Sequence, residues 1–315
     1  MQNVILETRG LYKRYGALTA VKDLSLEVFE GEVFGFLGPN GAGKTTSIYM
    51  MCGLLQPDAG QVCLHGIPIR SGDAGLRSRV GVCPQEIVIW KQLTPLEQLQ
   101  FTGEMYGLSG RTARQQGERL LEELGLADKR NQQARTLSGG MQRRLNLALA
   151  LVHDPDLVIL DEPEAGLDPQ SRVRVRETIR SLARRKTVIL TTHNMDEAER
   201  VSDRVAIIDQ GTLLVLDTPQ ALKQRLGEGD VLEVKLDGQT GDLMQLCAAL
   251  ELLPGQVKAS PGQGGLSIRG LDLVNQIPAI LEAACKAGYL CGEVRLRANT
   301  LEDVFIELTG RRLRE

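Results

Sequence analysis

One nine-residue segment, Gly38-Pro39-Asn40-Gly41-Ala42-Gly43-Lys44-Thr45-Thr46, constrains this chain more than any other stretch of its 315 residues. Gly38, Gly41 and Gly43 let backbone amides approach an anion and adopt positive φ, and a helix starting near Gly43 points its dipole at the same anion. The apolar run Val33, Phe34, Gly35, Phe36, Leu37 directly upstream reads as a short buried strand. Strand, glycine loop and helix therefore follow one another, the context a phosphate cradle requires. Lys44 adds a mobile positive charge and Thr45 a hydroxyl for Mg²⁺, so every fixed position of G-x-x-x-x-G-K-[ST] is filled.

A second apolar run, Leu157, Val158, Ile159, Leu160, ends in Asp161 and Glu162. It reads as another central parallel strand with acids at its carboxyl end, the place where doubly wound sheets bind ligands. Asp161 is expected to hold Mg²⁺, directly or through water, and Glu162 to orient and polarise an attacking water, because phosphoryl transfer needs positioning and charge neutralisation more than covalent chemistry. Between the two elements, Leu137-Ser138-Gly139-Gly140-Met141-Gln142 leads into a helix-forming run from Arg143 to Val152, with Ser138 as its N-cap. Together these elements predict a chain that binds and hydrolyses ATP.

Placed after the cradle and just before the acidic strand, the Leu-Ser-Gly-Gly segment resembles the signature motif of ATP-binding cassette (ABC) ATPases. The resemblance covers about residues 4–225 and implies ATP and Mg²⁺ as ligands. By it, Tyr15 looks like the aromatic on which adenine stacks, with Tyr12 as the rival position. Gln85, after the strand-like Val80, Gly81, Val82, Cys83, resembles the Q-loop glutamine that touches Mg²⁺ and leads into the segment facing a transporter's membrane part. Asp168, within Gly166-Leu167-Asp168-Pro169, resembles the D-loop that crosses to a partner subunit. His193, after the strand Thr187 to Thr191, resembles the switch histidine that contacts the γ-phosphate. The mechanism implied is a dimer, of this chain with itself or with a similar one. In it the cradle of one subunit and the Ser138-Gly139-Gly140 helix start of the other enclose each ATP. One position departs from the family pattern: Glu164 stands where Thr or Ser is usual, a carboxylate that could slow hydrolysis, alter Mg²⁺ affinity or merely face solvent, the last being expected because hydrated charge is the ordinary state of Glu.

The length allows two domains, each with its own core. The first is expected over residues 1–226, an α/β P-loop domain with a mixed sheet, an antiparallel β subdomain and a helical insert at about 94–135. Residues 227–230 read as a polar linker. Residues 231–315 then show a βαββαβ order, matching a small α+β ferredoxin-like domain. Its closing segment, capped by Thr300 and stopped by Gly310, resembles that of drug-resistance and lipid-export ABC subunits, whose partners are separate type-2 membrane permeases. By that resemblance the second domain is regulatory or dimer-stabilising.

No apolar stretch approaches the ~20 residues needed to cross a bilayer, and the amino terminus has no signal-peptide pattern. The expected location is cytoplasmic, peripheral on the inner face of the membrane through a permease. A net charge of -3 with 24% charged residues lacks the footprint of a nucleic-acid binder, so no nucleic acid is expected as a partner. The arginines from Arg172 to Arg185 and the tail Arg311, Arg312, Arg314 read as solvated faces. The six cysteines show no paired spacing and read as free thiols. The apolar run Ile87 to Trp90, with the only Trp of the sequence, fits either a membrane-subunit contact or packing within the insert. Two other classes stand as alternatives: a soluble ABC ATPase acting on ribosome or DNA, and a nucleotide-binding module that no longer hydrolyses. The first calls for a second cassette or a long coiled-coil insertion, and the second for loss of Glu162 or His193.

Overall fold

Alternating burial sets the first two strands. β1 (Val4–Tyr15) and β2 (Leu18–Phe29) turn Leu6, Leu11, Leu24 and Val28 inward, the period of a half-buried sheet. With β4 (Ala59–Leu64) and β5 (Ile67–Pro68) they form an antiparallel sheet in the order β2-β1-β4-β5. The computed structural model describes residues 3–70, 75, 78–183, 185–225, 230–237, 242–252, 257–262 and 264–310.

The central sheet is built differently. β3 (Val33–Leu37), β7 (Leu157–Asp161) and β8 (Thr187–Thr192) are buried at every position, as strands covered on both faces must be. The order is β10 (Thr212–Asp217), β9 (Arg204–Asp209), β3, β8, β7, β6 (Val80–Cys83), parallel throughout except for β10. Register pairs Leu37 with Thr192, Asp161 with Thr191, and Cys83 with Leu160. Five parallel strands thus end at one edge of the sheet, and the loops that leave them emerge side by side.

Two apolar layers hold this sheet. One gathers Phe34 and Phe36 with Ile48 and Met51 of α1 (Lys44–Met51) and with the inner face of the antiparallel sheet. The other lies beneath the helical insert and joins Leu99 of α2 (Pro95–Met105), Leu120 of α3 (Gly110–Glu123), Leu145 of α4 (Gly139–Leu151) and Val188. α2 opens with a capping box, in which Thr94 Oγ1 accepts from the Glu97 amide at 3.2 Å and Glu97 accepts from the Thr94 amide at 2.8 Å. Ser109 caps α3 by accepting from the Thr112 amide at 3.2 Å. Trp90 packs edge-on against Phe101, centroids 5.6 Å apart, yet both remain partly exposed. α5 (Pro169–Ala183), α6 (Met195–Val201) and α7 (Pro219–Arg225) complete the helices before the second sheet.

Internal contacts divide the chain between Pro219 and Gln220, a few residues before the boundary at 226 read from sequence. Leu226 and residues 227–229 of the expected linker lie outside the described residues, and Asp230 opens a strand. The second unit runs β11 (Asp230–Asp237), α8 (Leu243–Glu251), β12 (Lys258–Gly262), β13 (Gly265–Gly270), α9 (Leu273–Lys286), β14 (Leu290–Ala298), α10 (Leu301–Thr309). Its sheet is antiparallel in the order β12-β13-β11-β14, and its core joins Leu232, Leu250, Ile268 and Ile280. A Thr300–Asp303 capping box starts α10 and Gly310, at φ 67°, ends it.

Gly81 on β6 lies against α4 so closely that a Cβ would sit 2.0 Å from the Ala150 carbonyl oxygen. Gly81→Ala is expected to lower unfolding stability by about 1–3 kcal/mol, read as an earlier midpoint in urea; an unchanged midpoint would contradict this packing.

Candidate functional site

The loop after β3 is shaped by what its glycines touch. A Cβ at Gly38 would stand 2.3 Å from the Ile208 carbonyl, and one at Gly43, which has φ 100°, would stand 2.3 Å from the Ala20 carbonyl. α1 starts at Lys44 with neither a side-chain cap nor an acid in its first turn, so its leading amides face outward as an anion site. Lys44 is not the mobile charge expected from sequence. It is buried, and its Nζ donates to the carbonyls of Gly38 at 2.7 Å and Pro39 at 3.1 Å. Burial pushes its pKa down while the charges of Glu162 and Asp161 oppose that shift.

A cavity of about 740 Å³ opens beside this loop. Asn40, Gly41, Gly43, Lys44, Thr45 and Thr46 form one wall, Gln85, Asp161 and Glu162 another, and Tyr15 with residues 17–20 a third. Gly38, Pro39 and Ala42 back the loop, and Ala42 is buried. Tyr15 is half exposed, with Lys13 Nζ 5.8 Å from its ring centre. Tyr12 instead hydrogen-bonds Thr19 at 3.3 Å and is absent from the cavity wall.

At the end of β7 the two acids diverge. Asp161 accepts a hydrogen bond from the Thr191 hydroxyl. Glu162 adopts φ 44°, a left-handed conformation that costs a non-glycine residue about 1–3 kcal/mol and recurs at functional sites. Its amide donates to the Thr191 carbonyl at 3.1 Å, and its carboxylate accepts from Gln85 Nε2 at 3.0 Å and meets His193 Nδ1 at 2.8 Å. With the proton on Nδ1 the ring donates to Glu162. Three loops, leaving β6, β7 and β8, therefore converge on one carboxylate. Thr45, Gln85 and Asp161, which line the cavity, offer a hydroxyl, an amide oxygen and a carboxylate, a set that suits Mg²⁺. Among the described residues no group of three or more His, Cys, Asp or Glu is placed to hold a metal, and Mg²⁺ commonly takes one or two carboxylates with substrate phosphates.

The structure also places a residue that sequence reading missed. Arg143 on α4 is 3% exposed and has no carboxylate partner in its hydrogen-bonding set. Its guanidinium donates to five carbonyls: Pro84, Gln85, Asp161, Glu162 and Pro163, at 2.7–3.1 Å. All of its N–H groups are spent on joining the Gln85 loop to the Glu162 loop. The available signal was an arginine on the buried face of α4, in line with Gly140 and Leu147, where charge is rare.

Glu164 is a correction. It does not face solvent: its side chain is 4% exposed and sits 3.2 Å from Arg176 Nε. Arg176 accordingly turns inward from a face read as solvated, while Arg172, still 40% exposed, meets Glu197 at 3.4 Å. Arg184 and the tail arginines lie outside the described residues.

Ser138, Gly139, Gly140 and Asp168 are not brought to the cavity. Ser138 caps α4 by accepting from the Met141 amide at 3.4 Å. A Cβ at Gly140 would stand 2.3 Å from Ser171 Oγ, so the start of α4 lies directly against the start of α5. Asp168 accepts from the Ser171 hydroxyl at 2.7 Å and amide at 3.0 Å, and these bonds hold its pKa down.

Residues 21–165 match the ABC transporter family. The chain is 36% identical to the linearmycin resistance ATP-binding protein LnrL of Bacillus subtilis, covering 99% of this chain and 100% of that one. It is 42% identical to the Nod factor export ATP-binding protein I of Ralstonia nicotianae, over 99% and 95%. With the daunorubicin resistance ATP-binding protein DrrA3 of Streptomyces coeruleorubidus the identity is 37%, over 100% and 99%. Among solved structures it is similar to an ATP-binding subunit of an ABC transporter, with TM-score 0.64, 28% identity and coverage of 71% and 93%. CbiO1 of Clostridium perfringens, part of the transporter complex cbiONQ, gives TM-score 0.66 and 26% identity over 70% and 91%.

Arg143→Lys removes the planar fork and leaves three donors for five carbonyls. The expected loss is about 2–4 kcal/mol of unfolding stability, read by calorimetry. A melting temperature equal to that of the wild type would show that the strap carries no energy.

Proposed function

The chain belongs to the ABC transporter family as an ATP-binding, ATP-hydrolysing subunit, and from this we propose that it dimerises around two Mg-ATP to drive a separate membrane permease. The observation that carries the proposal is the pairing of Glu162 with Gln85 and His193 at the phosphate cavity, while Ser138 and Asp168 of the same chain lie away from it. A second copy, or a similar chain, supplies what the first lacks. The names of relatives matched over nearly their whole length, drug resistance and Nod factor export, favour an exporter of a drug, lipid or similar substrate. No described helix is long and apolar enough to cross a membrane, which agrees with a spanning partner and a peripheral place on the cytoplasmic face.

In this reading Tyr15 stacks the base. The amides of Gly38–Thr46 and the Lys44 ammonium hold the phosphates, with the α1 dipole behind them. Thr45, Gln85 and Asp161 hold Mg²⁺, which when bound neutralises charge developing on the transferred phosphoryl oxygens. Glu162, oriented by Gln85 and His193, takes the proton of the attacking water. His193 also contacts the terminal phosphate. The partner's helix start at Ser138-Gly139-Gly140 presents a second dipole to that phosphate, so the anion itself joins the two copies. Cleavage and release of the terminal phosphate remove that charge and let the copies part. Asp168 crosses to the partner beside this contact. The C-terminal unit regulates or stabilises the dimer.

Glu162→Gln keeps the size and one acceptor but loses the base. Turnover is expected to fall by about 10²–10⁴-fold while ATP binding persists and Mg-ATP shifts the protein to a dimer in size-exclusion chromatography. Full steady-state hydrolysis by this variant would remove Glu162 from its role.

A further inference from the structure

Glu164 has no part in the mechanism above, yet it lies two residues beyond Glu162 and is buried. Its Oε1 is 3.2 Å from Arg176 Nε, and its Oε2 is buried with no hydrogen-bond partner among the described residues. It lines a second, polar cavity of about 160 Å³ together with Glu162, Arg172, His193, Asn194 and Glu197, room for a few water molecules. Glu162 belongs to both cavities.

The groups that face Glu164 come from three directions. Arg172 and Arg176 come from α5, Glu197 from α6, and Glu162 and His193 from the ends of β7 and β8. Arg172 donates both to Glu197 at 3.4 Å and to the Leu167 carbonyl at 3.0 Å, one residue before Asp168. The Glu197 amide in turn donates to Asn194 Oδ1 at 3.1 Å, directly after His193. Arg172 and Glu197 therefore tie the Asp168 loop to the helix that His193 leads into. A neutral Glu164 leaves that tie intact and can donate its hydroxyl to Glu197. An ionised Glu164 repels Glu197 and competes for Arg172.

We propose that Glu164 is a positioning residue for hydrolysis that acts through Glu197: as the neutral acid it keeps the Asp168 loop and His193 in register with Glu162, and as the anion it loosens them. The proposal rests on the ATPase reading above. Burial, and then the negative charge of Glu197, outweigh Arg176 and Arg172 and push the Glu164 carboxyl up to about 7. Because this pKa is raised, the folded chain holds the proton more tightly than the unfolded one. The group's contribution to stability is then lost as pH rises from the ordinary carboxylate range through about 7. Turnover follows the same sense and falls on the alkaline side.

The test compares kcat and KM for Mg-ATP of the full-length wild type, Glu164→Gln and Glu164→Thr between pH 6 and 8, with melting temperatures measured alongside. Wild-type kcat is expected to fall by up to about ten-fold, the change in protonated fraction of a group titrating near 7, with KM changing less than about two-fold. Both variants, neutral at every pH, are expected to lose that fall. The melting temperature of Glu164→Gln relative to wild type is expected to climb with pH. A variant profile that falls in parallel with the wild type, or a wild-type kcat flat over this range, overturns the proposal; should one variant not fold, the other decides. Absence of ATP turnover by the wild type at every pH would instead overturn the ATPase reading.

Discussion

The parallel register of four strands governs what this molecule can do. Leu37, Cys83, Asp161 and Thr192 end neighbouring buried strands at one edge of the central sheet, and the chain must turn there in four places at once. A one-residue slip of β7 against β8 would turn Asp161 and Glu162 to the opposite faces and part Asp161 from the Thr191 hydroxyl. Register of this kind depends on complete burial, which β3, β7 and β8 obtain from an apolar layer on each face.

Charge placed at such an edge must be balanced without water. Lys44 is met by its own loop carbonyls, Asp161 by a threonine, and Glu162 by Gln85 and His193. Arg143 meets only backbone oxygens, all of them on the turns that carry Gln85 and Glu162. Its positive charge thus lies buried against the acidic strand end and is absent from the cavity wall. The strained backbone of Glu162 is tolerable in such a setting because bonds from both flanking loops over-determine it. Position of the Glu162 carboxylate, rather than its intrinsic chemistry, is what the fold supplies.

Much of this was legible in the residues. The cradle, the acidic strand end and the capped helix after Ser138 have local causes: glycines at close approaches, an apolar run of strand length, a hydroxyl one residue before a helix. Local causes survive folding. The βαββαβ order of the second unit was also readable from its strand-like and helix-like runs, and Thr300 and Gly310 marked the ends of the helix that follows it. Arg143 and Glu164 were not readable, since their surroundings come from residues far along the chain. Arg143 is satisfied by carbonyls of residues 84–85 and 161–163, and Glu164 is enclosed by α5 and α6. The mobility expected of Lys44 failed for a related reason, because the two carbonyls that bind it become acceptors only once the loop has turned.

In the proposed dimer the terminal phosphate is held by the cradle of one copy and the Ser138 helix start of another. A structure of the assembly with a non-hydrolysable ATP analogue and Mg²⁺ tests it most directly. Ser138 Oγ of each copy is expected at hydrogen-bond distance, about 3 Å, from the terminal phosphate in the opposing cradle. A nucleotide-filled assembly in which Ser138 is remote from every phosphate would contradict it.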